Sequence, residues 1–118
     1  MKNETLSFLK KLFGEKIESS SLELEQKSPE VAKLIDEFAI SKVWMRDGLP
    51  LRERSLITIS SQIAVGKWDQ VEHHMRSFLH LGGTVEELRE VVIHLSVYCG
   101  FPTMLTANEI LNKLSSEK

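Results

Sequence analysis

Residues 70–81, QVEHHMRSFLHL, hold three of the chain's four histidines, His73, His74 and His80; His94 is the fourth. Imidazole changes charge near neutral pH and also ligates metals, so proton transfer and metal binding are the two chemistries to weigh. At 100° per residue, Val71, Met75 and Phe78 form the centre of an apolar face, with Leu79 and Leu81 on its flanks. His74 falls between Phe78 and Leu81, inside that arc. His73 and His80 fall on the far side near Asp69 and Arg76, where water is expected to solvate them. An imidazole among apolar neighbours loses its charged form first; neutral, it is a general base, and its conjugate acid a general acid. By periodicity alone the plainer reading comes first, a core histidine bonded to a backbone carbonyl. Asp69 and His73 have the i, i+4 spacing of two ligands on one helix face. That face is the polar one, no third ligand is evident, and His94 has no obvious Cys or carboxylate partner, so no metal site is expected.

A second candidate surface lies in LRERSLITISSQIAV, residues 51–65. Leu56, Ile59 and Ile63 make its apolar face, while Arg54, Ser55, Thr58, Ser61 and Gln62 gather on the other side. One cation among small neutral polar groups can line a polar cavity and hold a carboxylate through a charge-assisted pair. Close helix packing through small residues, with Arg54 in a surface ion pair, explains the same pattern. From the residues alone the two readings stand level.

These side chains need helices to carry them, and the chain reads as helices divided by sharp punctuation. Leu6, Leu9, Leu12, Phe13 and Ile17 have helical spacing over 4–17, and a polar Ser- and Glu-rich stretch follows. Ser28-Pro29 then resembles an N-cap with proline at the first helical position. The helix it opens is expected to reach about Met45 and to bury Val31, Leu34, Ile35 and Phe38. Asp47-Gly48 breaks the chain, and Pro50 starts a helix that ends at Val65 before Gly66. The histidine helix stops at Gly82-Gly83, and Thr84 with Glu87 forms a capping box for the next. That helix runs to about Tyr98 and stops at Gly100; Pro102 starts the last, with Met104, Leu105, Ile110, Leu111 and Leu114. No strand alternation is evident, so the expected class is all-α with about six helices. In the fifth of them Leu88, Val91, Val92, Leu95 and Cys99 share one face, while Ile93 and Val97 sit near the opposite side. A helix apolar on both sides must be covered on both, either centrally in a monomeric bundle or, as preferred here, by another subunit.

The 118 residues are enough for one domain, 1–118, with a single core. With 42% hydrophobic and 27% charged residues the composition is that of an ordinary globular protein, and a formal net charge of −2 makes nucleic acid an unexpected partner. The opening MKNETLSFLKKLFGEK lacks the apolar run of a signal peptide, and no stretch approaches the length of a membrane span. Cys99 is the one cysteine, so no intramolecular disulfide can form, and a reducing cytoplasm is the expected address.

Three segments together, GLPLRERSLITIS (48–60), QVEHHMRSFLHLGGTVEELREVVIHLSVYCGFP (70–102) and TAN (106–108), resemble the carboxymuconolactone decarboxylase and alkylhydroperoxidase D superfamily. The resemblance covers 38–112 as a family core, with 1–37 as a helical lead-in. It implies an alkylhydroperoxidase D-like all-α subunit that assembles into a homo-oligomer, commonly a hexamer built as a trimer of dimers. The superfamily's functional histidine corresponds to His74. Its peroxidase branch, a peroxiredoxin-like alternative, places two cysteines where this chain has Lys67 and Gln70, and a glutamate where it has Ser55. Without a thiolate that mechanism has no nucleophile, and Cys99 reads as a small buried residue. The decarboxylase branch shares RERS and lacks the cysteine pair, although it often carries a glutamate at the position of Gln70. That branch implies loss of CO₂ from a small carboxylated lactone with no metal or organic cofactor. On this resemblance Arg54 anchors a substrate carboxylate and His74 transfers the proton, while Ser55, Ser61, Gln62 and Gln70 contact the substrate. Trp68, Tyr98 and Phe101 are candidates to close the pocket or simply to pack. A helical oligomer that binds a small molecule without catalysis is the remaining alternative.

Overall fold

The computed structural model describes residues 1–117. All regular structure among them is helical: α1 (Asn3–Phe13), α2 (Ile17–Lys27), α3 (Pro29–Leu34), α4 (Leu51–Val65), α5 (Trp68–His80), α6 (Val85–Cys99) and α7 (Phe101–Ser116). A π-helical segment, Ile35–Trp44, continues α3 without a break. The chain divides into two compact units, Met1–Leu51 and Arg52–Lys118. No helix among the described residues is long and apolar enough to cross a membrane.

The first unit departs from the sequence expectation in two places. The Ser- and Glu-rich stretch is itself a helix, α2, which makes seven helices among the described residues rather than about six. Its Glu, Leu, Gln and Lys residues are good helix formers, Lys27 pairs with Glu23 one turn back at 2.6 Å, and Ser21 is buried. Helix α1 therefore ends earlier than expected, at Phe13, where Gly14 adopts φ 92°, and Ile17 opens α2.

The second departure is the buried side of residues 29–44. Ala32, Asp36 and Ile40 are buried, while Val31, Leu34 and Phe38, expected in the core, are exposed and Ile35 is half-buried. A polar anchor selects that side: the Lys2 backbone N–H donates to Asp36 Oδ2 at 3.1 Å. Burial pushes the Asp36 carboxyl up, but the Thr5 hydroxyl, the Lys2 N–H and nearby positive charge outweigh it and hold the group below its ordinary range. From residue 35 the winding also widens to i→i+5 bonding, as in Met45 N–H to the Ile40 carbonyl at 2.9 Å. An α-helical wheel then drifts out of phase with the chain.

In the second unit the boundaries agree closely with the sequence reading. Gly66 at φ 74° closes α4, and Gly82 at φ 98° turns the chain after α5. The expected capping box is present. Glu87 N–H donates to Thr84 Oγ1 at 3.1 Å, and Thr84 N–H donates to Glu87 Oε1 at 3.0 Å. The other oxygen of Glu87 accepts from Arg52, whose guanidinium carbon lies 5.2 Å over the Phe78 ring. One carboxylate thus ties the start of α4 to the start of α6, and α5 lies against the same corner through Phe78.

The core of this unit draws on all four helices: Ile59 and Ile63 from α4, Val71, Met75 and Phe78 from α5, Val85, Leu88 and Val92 from α6, and Ala107, Leu111 and Leu114 from α7. Each large side chain among them contributes about 1.5–3 kcal/mol by leaving water. Polar ties lie outside that core. Arg89 donates to Asn112 Oδ1 at 2.7 Å and also to Asn108, joining α6 to α7. Lys113 and Arg76 share Glu72 at 3.0 and 3.2 Å, and Arg76 reaches Glu117 at 2.6 Å, joining α5 to α7. The outer side of α6 and the start of α7 leave Ile93, Val97, Tyr98, Phe101 and Leu105 exposed.

Candidate active site

Helix α5 puts its imidazoles nearly where helical phase assigned them. His74 is 9% exposed, on the face that carries Val71, Met75 and Phe78, and its Nδ1 is among the buried atoms. Burial first, and then the charge of the neighbouring His73, push its pKa down to about 4. At neutral pH the ring is therefore uncharged, ready to take a proton rather than already holding one. Ser77, one turn on and on the same face, is buried as well.

His73 differs from expectation. It is half-buried rather than solvated, and burial lowers its pKa below the ordinary histidine range. Its ring meets that of His74 edge-on, with centroids 5.2 Å apart and planes at 70°. Adjacent helical residues diverge by only 100°, so a buried arc wide enough to seal His74 also covers part of His73. The paired imidazoles in the sequence were the one available signal of this. His80 is exposed, as expected. His94 is exposed and rests against Tyr98, ring centroids 5.4 Å apart. Among the described residues no three His, Cys, Asp or Glu side chains gather as a metal site would need.

On α4, Ser55 is 1% exposed and its hydroxyl has no hydrogen-bond partner; the Oε1 of half-buried Gln62 is likewise buried and unpartnered. Seven positions place the two side chains within about 20° of each other on the helix, two turns apart. Buried polar atoms left without partners are rare and costly, of order 1–3 kcal/mol each. Arg54 is half-buried beside it, and its carbonyl accepts from Thr58 Oγ1 at 2.8 Å. Ser61 and Gln70 stand outside the buried set: both are exposed, and Ser61 Oγ donates to the Thr58 carbonyl at 2.9 Å.

The remaining sequence candidates separate by environment. Trp68 packs against the core, whereas Tyr98 and Phe101 are 75% and 66% exposed in the single chain. Cys99 is half-buried and free. Lys67 is exposed and precedes α5 as its N-cap residue, and Asn108, from the TAN segment, serves Arg89.

The chain as a whole is similar to known proteins. Residues 29–113 match the sequence model of the carboxymuconolactone decarboxylase family. Over 108 residues the chain is 37% identical to a 4-carboxymuconolactone decarboxylase of Acinetobacter baylyi, covering 87% of this chain and 81% of that protein. It is 38% identical to a nitrosuccinic acid decarboxylase of Metarhizium robertsii over 69% of this chain and 57% of that protein. An uncharacterised 15.0 kDa protein of Paracoccus denitrificans is 28% identical over 80% of this chain. With a match that spans most of the chain and includes both the polar face of α4 and the histidine pair of α5, the chain belongs to the carboxymuconolactone decarboxylase family.

Proposed function

We propose that this protein is a carboxy-lyase that removes CO₂ from a small carboxylated substrate, 4-carboxymuconolactone or a close analogue, with His74 as the proton-transfer residue. The observation that carries the reading is the buried, uncharged imidazole of His74 in a chain whose relatives are named as decarboxylases. The two named substrates have one chemical property in common. In each, an electron-withdrawing group, a conjugated lactone or a nitro group, can take the charge left when CO₂ departs. The substrate then provides its own electron sink, and the reaction needs no organic cofactor from the protein.

The residues divide the work accordingly. Arg54 holds the carboxylate that is retained, through a charge-assisted pair. The apolar surroundings of His74 strip water from the carboxylate that is lost, which favours neutral CO₂ over the anion. As the C–C bond breaks, its electron pair moves into the ring and toward the lactone carbonyl. A proton from His74 then ends on carbon, so each turnover consumes one proton. An anionic substrate beside His74 favours the imidazolium form, so binding itself draws in the proton that the step requires. Ser55 offers its unpartnered hydroxyl to the substrate as a donor, and Gln62 lines the same stripe, with Ser61 and Gln70 at the exposed rim. Assay of the purified protein on 4-carboxymuconolactone beside a His74→Ala variant is the test. No turnover by the wild type rejects the substrate, and equal turnover by the variant rejects the role of His74.

The reading includes assembly into a homo-oligomer, a hexamer of three dimers. The exposed apolar side of α6 and α7, with Val97 at 76% and Phe101 at 66%, supports it, because patches of this kind are normally covered by a partner. Val97→Asp should lower the mass seen by light scattering; an unchanged mass would assign the contact elsewhere. The absence of a cysteine pair keeps the cytoplasm as the proposed address.

A further inference from the structure

The proposed reaction needs a proton at every turnover, yet the group that delivers it is nearly sealed from water. With its pKa near 4, His74 is protonated in only about one molecule in a thousand at pH 7. A route for the proton must therefore exist, and the polar groups along α5 differ in how they connect His74 to water. Glu72 is held by Lys113 and Arg76, and Arg76 also by Glu117. Arg52, from α4, is committed to Glu87 and the Phe78 ring. Asp69 and His80 share the polar side of α5 with His73 by helical phase, but they are exposed, one turn before it and two turns after it. Of these groups His73 spans both environments: it is partly buried, and its ring meets that of His74 edge-on, centroids 5.2 Å apart.

From this contact we infer that His73 is a proton-relay residue, the entry point through which His74 is recharged from solvent. The inference rests on the reading of His74 as proton donor. His73 takes a proton from water and becomes an imidazolium. It passes that proton to His74, directly or through one water, and returns to neutral. His74 then gives the proton to a carbon of the delocalised anion that CO₂ leaves behind. The electron pair of the broken C–C bond forms the new C–H bond, and both rings end uncharged. His73 acts through His74 and touches no substrate, so it is a positioning residue whose contribution is the rate of proton supply.

Two variants distinguish supply from packing. His73→Ala opens space beside His74, and His73→Gln fills it with a side chain that cannot carry a proton at neutral pH. In weakly buffered solution both should lower kcat on 4-carboxymuconolactone about tenfold with KM kept within about twofold. Free imidazole should restore His73→Ala in a saturable way and leave His73→Gln slow. Wild-type kcat in His73→Gln, or a loss in His73→Ala that imidazole does not repair, overturns the relay. His74→Ala run in parallel separates the claims: if it turns over like the wild type, the donor role itself fails, and the relay with it. A substrate-free readout is exchange of the His74 ring proton with water, followed by NMR on ¹⁵N-histidine-labelled protein. It should slow several-fold in His73→Gln, and unchanged exchange overturns the relay whatever the reaction proves to be.

Discussion

Burying His74 uncharged gives the protein a dependence on pH that equilibrium unfolding can read. The ring titrates near 6.5 in the unfolded chain and near 4 in the folded one. As pH falls through 6.5, the unfolded chain takes up a proton that the folded chain refuses. Stability from this residue is therefore complete above the unfolded value, declines as pH drops, and is fully lost once pH passes below about 4. The difference corresponds to about 3 kcal/mol, of which about 2 kcal/mol is gone by pH 4.5. His73, lowered in the same direction by burial, adds to the loss as pH falls through the ordinary histidine range. Asp36, Glu72, Glu87 and Glu117 are all held below the ordinary carboxylate range, so their contributions are lost only at more acid pH. Urea denaturation of wild type and His74→Gln at a series of pH values from 7 to 4.5 isolates the His74 share. The variant's stability should fall less steeply, by about 2 kcal/mol across the range. Parallel curves, agreeing within about 0.5 kcal/mol, would refute the claim that His74 is buried in its neutral form.

Other perturbations test separate parts of the structure. Ser55→Ala removes a buried hydroxyl that has no partner in the free protein, so stability should rise, by up to about 1–3 kcal/mol, while KM for the substrate rises. A large loss of stability without a change in KM would make Ser55 a packing residue. A Cβ at Gly83 would stand only 2.2 Å from the edge of the Phe78 ring, which is 1% exposed. Gly83→Ala should therefore destabilise by about 1–3 kcal/mol or more, and an unchanged melting temperature would show that the ring has room to move. Thr84→Ala removes the side-chain half of the α6 cap and should cost about 1 kcal/mol in denaturant unfolding; no loss would mean that the Glu87 contacts alone hold the turn.

How far these features were legible in the chain depends on how local their causes are. Thr84 and Glu87 cap α6 through atoms three residues apart, so sequence spacing is sufficient to predict the bond. Gly66 and Gly82 end helices because backbone with φ near 70–100° disfavours a side chain. The inward direction of His74 follows from the angle between it and Phe78 on one helix, and RERS with the histidine segment is enough to place the chain in its family. Helix 29–44 shows where the local argument fails: its large apolar residues Val31, Leu34 and Phe38 are exposed while Ala32 and Asp36 are buried. The buried side was decided instead by Asp36 meeting the Lys2 N–H 34 residues away, and by π winding that changes the phase of every later side chain.

By itself, the sequence determined the helix boundaries of residues 51–116, the cap of α6, the inward histidine and the absence of a redox cysteine pair. Each is a property of neighbours along the chain or of residue type. The tertiary structure decided that Ser55 and Gln62 have buried polar atoms without partners while Ser61 and Gln70 face water. It also decided that His73 is half-covered against His74. Helical phase gives only the angle between two side chains; how wide an arc is buried depends on what packs against the helix, and that is set by distant parts of the chain.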